Sequence, residues 1–419
     1  MTSHLQLQPQ AHHGLGAGVL LAHPLVQHTD GLSPLLVAVL AVVVVLTVAT
    51  RKSSTGAPRA ARSEVPVESW AGTLSPGQVV TRAVAVGLLL VAIVAGRLGS
   101  PLQLRNIAPA LVIGLAWPLL VLGSALLGPV WRWADPWDAL ARPAGRRAGG
   151  GSTDEPPGDP GDVRPAVLPA LAWVWYLSVF PDSLDPRSVG AGLAAYSIAT
   201  VAGCLAFGRK RWLSRAEVFG ILLSWIARLP RRRLLDWHPP RGAEAILGVL
   251  AGGLLFGAVR RSSLWGALNV APLAVLYATA GLLGACAATT AFLWAMGRWS
   301  SRHRSPGATT AAAVPAVASL AVAIGMARNR LFTLVQLLPG VASDPFGLGW
   351  DLFGTADWAL NPDPFGHVGL SLLQLLVLVA GHLAGALVLS RRVDLPHRTP
   401  GVVALGVLVG SAALAVTVT

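Results

Sequence analysis

The sequence predicts an all-α protein that crosses a lipid bilayer many times as a bundle of helices. Of its 419 residues, 53% are hydrophobic and only 12% are charged, about half the charged fraction that is typical of soluble domains. Several apolar runs approach or reach the ~20 residues that a helix needs to cross the hydrocarbon core. Basic residues lie in short clusters between these runs, as they do in the cytoplasmic loops of membrane proteins.

The apolar runs predict about ten spans. They cover residues 34–50, 80–96, 107–127, 165–180, 188–207, 243–259, 272–296, 309–327, 370–390 and 402–418. The loops between them alternate between strongly basic loops and loops with at most two basic residues. Because basic loops face the cytoplasm, this alternation predicts that both termini lie outside.

The chain divides into a His-rich outer segment, residues 1–33, and a multi-span membrane domain, residues 34–419. Within the domain, Gly and Pro residues predict an inner linker over 145–165. Residues 214–229 repeat apolar side chains at helical spacing between basic residues, which is typical of a helix at the inner headgroup level. Packing of that helix against the bundle fits the same pattern.

Charge and motifs limit the classes of function. The net charge of +13 does not indicate nucleic-acid binding, because the basic residues are spread over several loops and form no single patch. The sequence contains no Walker motif, His-Glu-x-x-His or Gly-x-Ser-x-Gly. The lipid bilayer is the predicted partner, and protein partners are left open.

A polar segment in the predicted outer loop 328–369 holds the first candidate site residues. Residues 343–358 read SDPFGLGWDLFGTADW and lie between two long apolar runs. Asp344 and Asp351 are candidates for catalysis or for binding a cation, because carboxylate oxygens suit divalent metals. Ion pairing that simply orients the loop is the alternative interpretation.

For that alternative, the loop-orienting candidates are Arg328, Arg330, Trp350 and Asp357. The two arginines end the preceding predicted span, and no basic residue follows before Arg391. Irregular backbone at a membrane edge has to fold against protein or lie in water. The aromatic side chains of the loop are therefore expected to pack on the helix bundle.

Two histidines complete the candidate set. His382 lies in the middle of the predicted span 370–390, where an ionisable group usually faces a partner or a cavity. It is either a neutral histidine bonded to neighbouring backbone or a ligand and proton-transfer group. His13 lies in the His-rich segment, so His13 and His382 are the candidate ligands of a divalent metal.

Several segments together resemble a family of bacterial multi-span membrane proteins that are commonly labelled fenitrothion hydrolases. They are AHHGLGAG (11–18), SPLQLRNIAPAL (100–111), FPDSLDPRSVGAGLAAYSIATVAG (180–203), AEVFGILLSWIARL (216–229), SDPFGLGWDLFGTADW (343–358) and GHLAGALVLSRR (381–392). The resemblance implies a protein of the bacterial cytoplasmic membrane that hydrolyses an organophosphate ester. His382, Asp344 and Asp351 are then the candidate catalytic residues.

Two other functions remain open at this stage. Gly-rich helices and a histidine inside a span also fit a transporter or permease. An ordered outer loop and few charges within the spans fit a non-catalytic membrane component that binds a metal or a partner at the outer face.

Overall fold

The structure is a computed structural model, and it describes residues 74–147, 161–230, 233–261, 265, 273–302, 306–327, 330–359, 361, 366–393, 406 and 410. Every regular element among these residues is helical, which confirms the all-α prediction. The His-rich segment, His13 and the predicted spans 34–50 and 402–418 lie outside the described residues.

The helices follow one another with short connections. In chain order they are α1 Pro76–Leu98, α2 Ile107–Leu127, α3 Trp131–Ala134, α4 Pro136–Arg147, α5 Val167–Ser178, α6 Pro186–Phe207, α7 Arg209–Arg215, α8 Val218–Ile226, α9 Ala243–Val259, α10 Ala274–Arg302, α11 Ala308–Ala327, α12 Arg330–Ser343 and α13 Gly366–Arg392. Single 3₁₀ turns, Gln103–Arg105 and Arg164–Ala166, precede α2 and α5.

Six of the described helices are long and apolar enough to span a bilayer. They are α1, α2, α6, α10 and the apolar parts of α11 and α13, Ala308–Met326 and Leu372–Arg392. Each coincides with a span predicted from the sequence. The described residues therefore form a multi-pass membrane protein.

Two further predicted spans correspond to shorter helices. The predicted span 243–259 is α9, with 17 residues, and 165–180 contains α5, with 12 residues. At 1.5 Å per residue, α5 is about 18 Å long, well short of the ~30 Å hydrocarbon core.

Local sequence signals fix where several helices begin. The Ser75 hydroxyl accepts the N–H of Gln78, and the side-chain oxygen of Gln78 accepts the N–H of Ser75. Pro76 follows in the first turn. Asp185 caps α6 in a similar way by accepting the N–H of Ser188. These caps satisfy N–H groups that a helix leaves free at its start.

The outer loop predicted over 328–369 contains a helix, α12. Its apolar residues recur at helical spacing, and Leu334 and Val341 are buried in a cluster with Leu111 of α2. The contact falls on the π-helical segment of α2, Ala110–Ala116, and it is close because Gly114 has no side chain. A Cβ atom added at Gly114 would lie 2.5 Å from the Cβ of Leu334.

The helix predicted within 214–229 is α8, and it packs inside the protein. Among its nine residues only Ser224 is exposed, and Phe219 is partly buried. A helix at the headgroup level would present a polar face to water. Since α8 is apolar on nearly every side, packing against the bundle is the placement that the structure has.

The predicted inner linker, 145–165, is helical at both of its ends. The helix α4 continues to Arg147, and the 3₁₀ turn Arg164–Ala166 leads into α5. Between them, residues 148–160 lie outside the described residues.

The centre of the bundle is α11, which packs most closely against α13. Nearly all of α11 is buried. A Cβ atom at Gly381 of α13 would lie 2.2 Å from the Cβ of Ser319 and 2.5 Å from the carbonyl oxygen of Pro315, both in α11. A side chain at position 381 would therefore force the two helices apart.

We expect Gly381→Ala to lower the thermal unfolding midpoint of the purified protein in detergent, because overpacking of this kind costs about 1–3 kcal/mol. Gly325→Ala, in α11, is the matched control, since no atom lies within 4 Å of its added Cβ. That control should be neutral or slightly stabilising. Equal midpoints for wild type and Gly381→Ala would contradict the close packing.

Candidate functional site

The loop after α12 is built around Asp344. Its two carboxylate oxygens accept the backbone N–H groups of Leu348, at 2.8 Å, and of Gly349, at 2.7 Å. Both oxygens are thereby committed to the loop backbone. The carboxylate stabilises the turn that comes directly after it in the sequence.

Asp351 has the same kind of role in the second half of the loop. Its Oδ1 accepts the hydroxyl of Ser343, at 2.6 Å, and the N–H of Ala356, at 3.0 Å. The Ser343 hydroxyl in turn accepts the N–H of Phe353 at 2.8 Å. Hydrogen bonding from Ser343, followed by backbone N–H groups, lowers the pKa of Asp351, so the carboxylate is ionised and acts as an acceptor.

This loop docks on the connection between α1 and α2. The N–H of Ser100 donates to the carbonyl of Phe346 at 2.7 Å, and the N–H of Ile107 approaches the carbonyl of Pro345 at 3.5 Å. Gly347 makes the close approach possible: its φ is 69°, and an added Cβ would lie 2.5 Å from the Cβ of Ser100. We call residues 99–107 and 343–358 together the loop platform.

The loop platform turns large apolar side chains outward. Trp350, Phe353 and Trp358 are 43%, 71% and 56% exposed. The predicted packing of these rings on the bundle does not hold for Phe353 and Trp358, which are mostly exposed. Trp350 is more than half buried and lies edge-on to Phe346, and backbone hydrogen bonds dock the loop. The exposed large apolar residues of the platform are Leu102, Leu104, Leu348, Trp350, Leu352, Phe353 and Trp358.

The structure says less about the other predicted loop-orienting residues. Arg328 and the side chain of Arg330 lie outside the described residues, and Asp357 is exposed. Pairing of these arginines with loop carboxylates stays a prediction. The described orientation of the loop comes from the carbonyl groups of Pro345 and Phe346.

His382 is sequestered within the bundle. Its side chain is 1% exposed, and Nδ1 lies 2.8 Å from the carbonyl oxygen of Leu378, one helical turn earlier. This contact fits the backbone-bonded histidine that was one of the two interpretations, and the protonation state of His382 stays a prediction. Among the residues that the structure describes, no three His, Cys, Asp or Glu side chains come together to hold a metal ion.

A second polar centre, which the sequence analysis did not identify, surrounds Asp138 of α4. Its carboxylate is fully buried and accepts hydrogen bonds from Arg82 of α1, from Nε of Arg142, at 3.0 Å, and from Arg209 of α7. Arg82 also donates to the carbonyl of Arg132 at 2.9 Å. We call Asp138 and its three arginine partners the Asp138 network.

Asp135 lies beside this network and is also buried. Its Oδ1 caps α4 by accepting the N–H groups of Trp137, at 3.0 Å, and of Asp138, at 2.9 Å. Its Oδ2 has no hydrogen-bond partner among the described residues. Burial, together with the charge of Glu217, raises the pKa of Asp135 to about 8, so a proton on the free oxygen is favoured at neutral pH.

Glu217 is the third buried acid of this region and caps α8. It accepts the N–H groups of Phe219, at 3.0 Å, and Gly220, at 2.6 Å, and the hydroxyl of Tyr196 at 2.6 Å. Burial raises the pKa of Glu217, although these hydrogen bonds oppose the shift. Each buried acid is thus fixed by backbone N–H groups, an arginine or a hydroxyl.

Two sequence signals could have identified the Asp138 network. Arg82 is a charged residue inside a predicted span, 80–96, where charges are costly and need a partner. Asp138 and Arg142 are four residues apart, the spacing at which a helix brings side chains together. The sequence does not show that Arg82 and Asp138 lie close together in space.

Taken together, the fold and these sites define a multi-pass α-helical membrane protein with a buried charge network and a preformed loop platform. Comparisons with protein-family models, with curated proteins and with solved structures find no match to this chain. The function is therefore argued from the geometry of the sites.

We expect stability to fall as the pH rises from about 5 to 8, because the raised pKa of Asp135 lets the folded state keep a proton that the unfolded chain has already lost. Asp135→Asn keeps an oxygen for the cap and removes this titration. Thermal unfolding in detergent at several pH values should therefore show a smaller pH slope for the variant.

Asp162→Asn is the control for this experiment. Its partner Arg164 lowers the pKa of Asp162 to about 2, so its contribution to stability changes only at acid pH, below the tested range. Its slope between pH 5 and 8 should equal that of wild type. Parallel curves for wild type and Asp135→Asn would show that Asp135 is ionised throughout.

Proposed function

We propose that the protein is a non-catalytic component of a membrane-bound assembly, and that its loop platform binds a partner protein. In this proposal the chain has ten spans with both termini outside, the platform faces the outer side of a bacterial cytoplasmic membrane, and the Asp138 network lies near the inner side. Membership of the family that it resembles is part of the proposal.

The observation that supports binding over catalysis is how the loop uses its side chains. Asp344 and Asp351 accept hydrogen bonds from the loop's own backbone and from Ser343. The loop thus holds a fixed shape before any partner arrives, which reduces the entropy lost on binding. Its aromatic and aliphatic side chains, by contrast, point away from the protein.

The exposed area is of the size expected for an interaction surface. At the exposures of Trp350, Phe353 and Trp358, the three rings together present on the order of 300 Å². That already equals the largest apolar patch of many monomeric proteins, and four leucines of the platform add to it. Tryptophan is also enriched among the residues that contribute most to binding energy.

Charge favours a protein partner over the lipid surface. The loop platform contains three aspartates, all within residues 343–358, and one exposed arginine, Arg105, so it is acidic overall, whereas side chains that anchor proteins to anionic headgroups are basic. The complementary surface is an apolar patch with a basic rim. Asp357 is exposed at the end of the loop, where it can face such a rim.

The alternatives have less support from the contacts. For the hydrolase that the resemblance implies, His382 would have to reach an ester, but it is buried and bonded to backbone. For a transporter, a route through the bundle is needed. Inside the bundle, the cavity beside α11 is lined by apolar side chains including Trp117, Leu222 and Val317, and its volume of about 30 Å³ is that of about one water molecule. A larger cavity, at the end of α10, opens at the protein surface.

The test is photocrosslinking in intact cells with benzoylphenylalanine placed at Phe353. We expect one discrete product that contains a second protein, and we expect that protein to co-purify stoichiometrically with wild type but not with a Leu352→Ser/Phe353→Ser variant. The matched control is benzoylphenylalanine at Leu283, an exposed residue of α10, which should react with lipid. Reaction of position 353 with lipid alone would refute the proposal.

A further inference from the structure

One face of α10 is exposed along nearly the whole helix and changes character near its C-terminal end. The face is apolar from Leu276 to Trp294, a distance of about 27 Å, which is close to the thickness of the hydrocarbon core. It then continues with two arginines. In order, the exposed residues are Leu276, Ala280, Leu283, Ala287, Ala291, Trp294, Arg298 and Arg302.

This order matches the layers of a lipid leaflet. Small and aliphatic side chains suit acyl chains, and tryptophan is enriched at the level of the headgroups. The guanidinium of Arg298 lies over the Trp294 ring, 4.8 Å from its centroid. Neither Arg298 nor Arg302 has an acidic partner among the described residues.

At the arginine end, a cavity opens between α9, α10 and the start of α11. Its volume is about 520 Å³, and it is lined by Glu244, Trp294, Gly297, Arg298, Ser301, Arg302 and Gly307. The cavity is wide-mouthed and opens at the protein surface. Gly297 lies on the α10 wall opposite Glu244, whose Oε1 would be 3.6 Å from an added Cβ atom, an ordinary contact distance.

The charges around the cavity favour an anion. Glu244 is the one acid among the lining residues, and its Oε1 accepts the hydroxyl of Thr310 at 2.8 Å. The two arginines leave a net positive charge. The helix α11 begins at the same wall, beside the last turn of α10.

We propose that this cavity binds the phosphate group of an anionic phospholipid, whose acyl chain lies along the exposed apolar face of α10. Arg298 and Arg302 contact the phosphate oxygens, and Trp294 packs against the glycerol region. Binding of a lipid, and not of free phosphate, follows from the continuity of the cavity with a bilayer-length apolar face.

The experiment is native mass spectrometry of the full-length protein in detergent, titrated with phosphatidylglycerol, phosphatidylcholine and inorganic phosphate. Wild type should bind one phosphatidylglycerol in preference to phosphatidylcholine. Arg298→Gln/Arg302→Gln should weaken phosphatidylglycerol binding by at least about tenfold, since each basic residue near a lipid surface contributes to the attraction.

The matched control is Lys210→Gln/Arg211→Gln, which removes two exposed basic residues at the start of α7 and should leave binding unchanged. Arg298→Lys/Arg302→Lys keeps both charges and should retain most of the preference for phosphatidylglycerol. This result would show that the loss in the Gln variant comes from the missing charges and not from misfolding. Equal losses in the control and the Gln variant, or binding of inorganic phosphate as tight as that of phosphatidylglycerol, would overturn the proposal.

Discussion

One buried carboxylate, that of Asp138, connects three parts of the chain that lie far apart in sequence. It accepts hydrogen bonds from Arg82, 56 residues earlier, and from Arg209, 71 residues later. Removing one partner from a buried ion pair costs about 3–5 kcal/mol, because it leaves a charge without compensation. The positions of α1, α4 and α7 are therefore mutually dependent, and the connecting helices between the spans cannot move independently.

Polar groups away from water need hydrogen-bond partners, and this constraint also explains the contacts at the C-terminal end of α1. There Asn106 donates to the carbonyls of Ala95 and Ser100 and caps the start of α2 through its side-chain oxygen. Backbone groups of the 99–107 connection are then available for Pro345 and Phe346. In the loop platform, Asp344 and Asp351 accept hydrogen bonds from the loop itself, and the large apolar side chains face outward.

The sequence was sufficient for the parts of the fold that depend on local pattern. Apolar runs located six described candidate spans, and the bounds 107–127 and 243–259 match α2 and α9. Long-range contacts were not accessible in this way. Neither the pairing of Arg82 with Asp138 nor the docking of Phe346 on Ser100 leaves a periodic signal.

The outward direction of the loop aromatics could not be predicted for a related reason. Composition indicates that Trp350, Phe353 and Trp358 will be covered by something apolar, but it does not distinguish the protein's own bundle from a partner. The hydrogen-bond partner of His382 was easier to predict. A histidine in an apolar run has few acceptors besides helix carbonyls, and the carbonyl of Leu378, four residues earlier, is the acceptor it uses.

Side-specific cysteine labelling tests most directly the central claim, that the loop platform and the Asp138 network lie at opposite sides of the membrane. The native Cys204 and Cys286 are buried, so a membrane-impermeant maleimide reports on an introduced thiol. Phe353→Cys should be labelled in intact cells. Lys210→Cys, next to Arg209 of the network, should be labelled only after permeabilisation. Labelling of both positions from the same side would contradict the account.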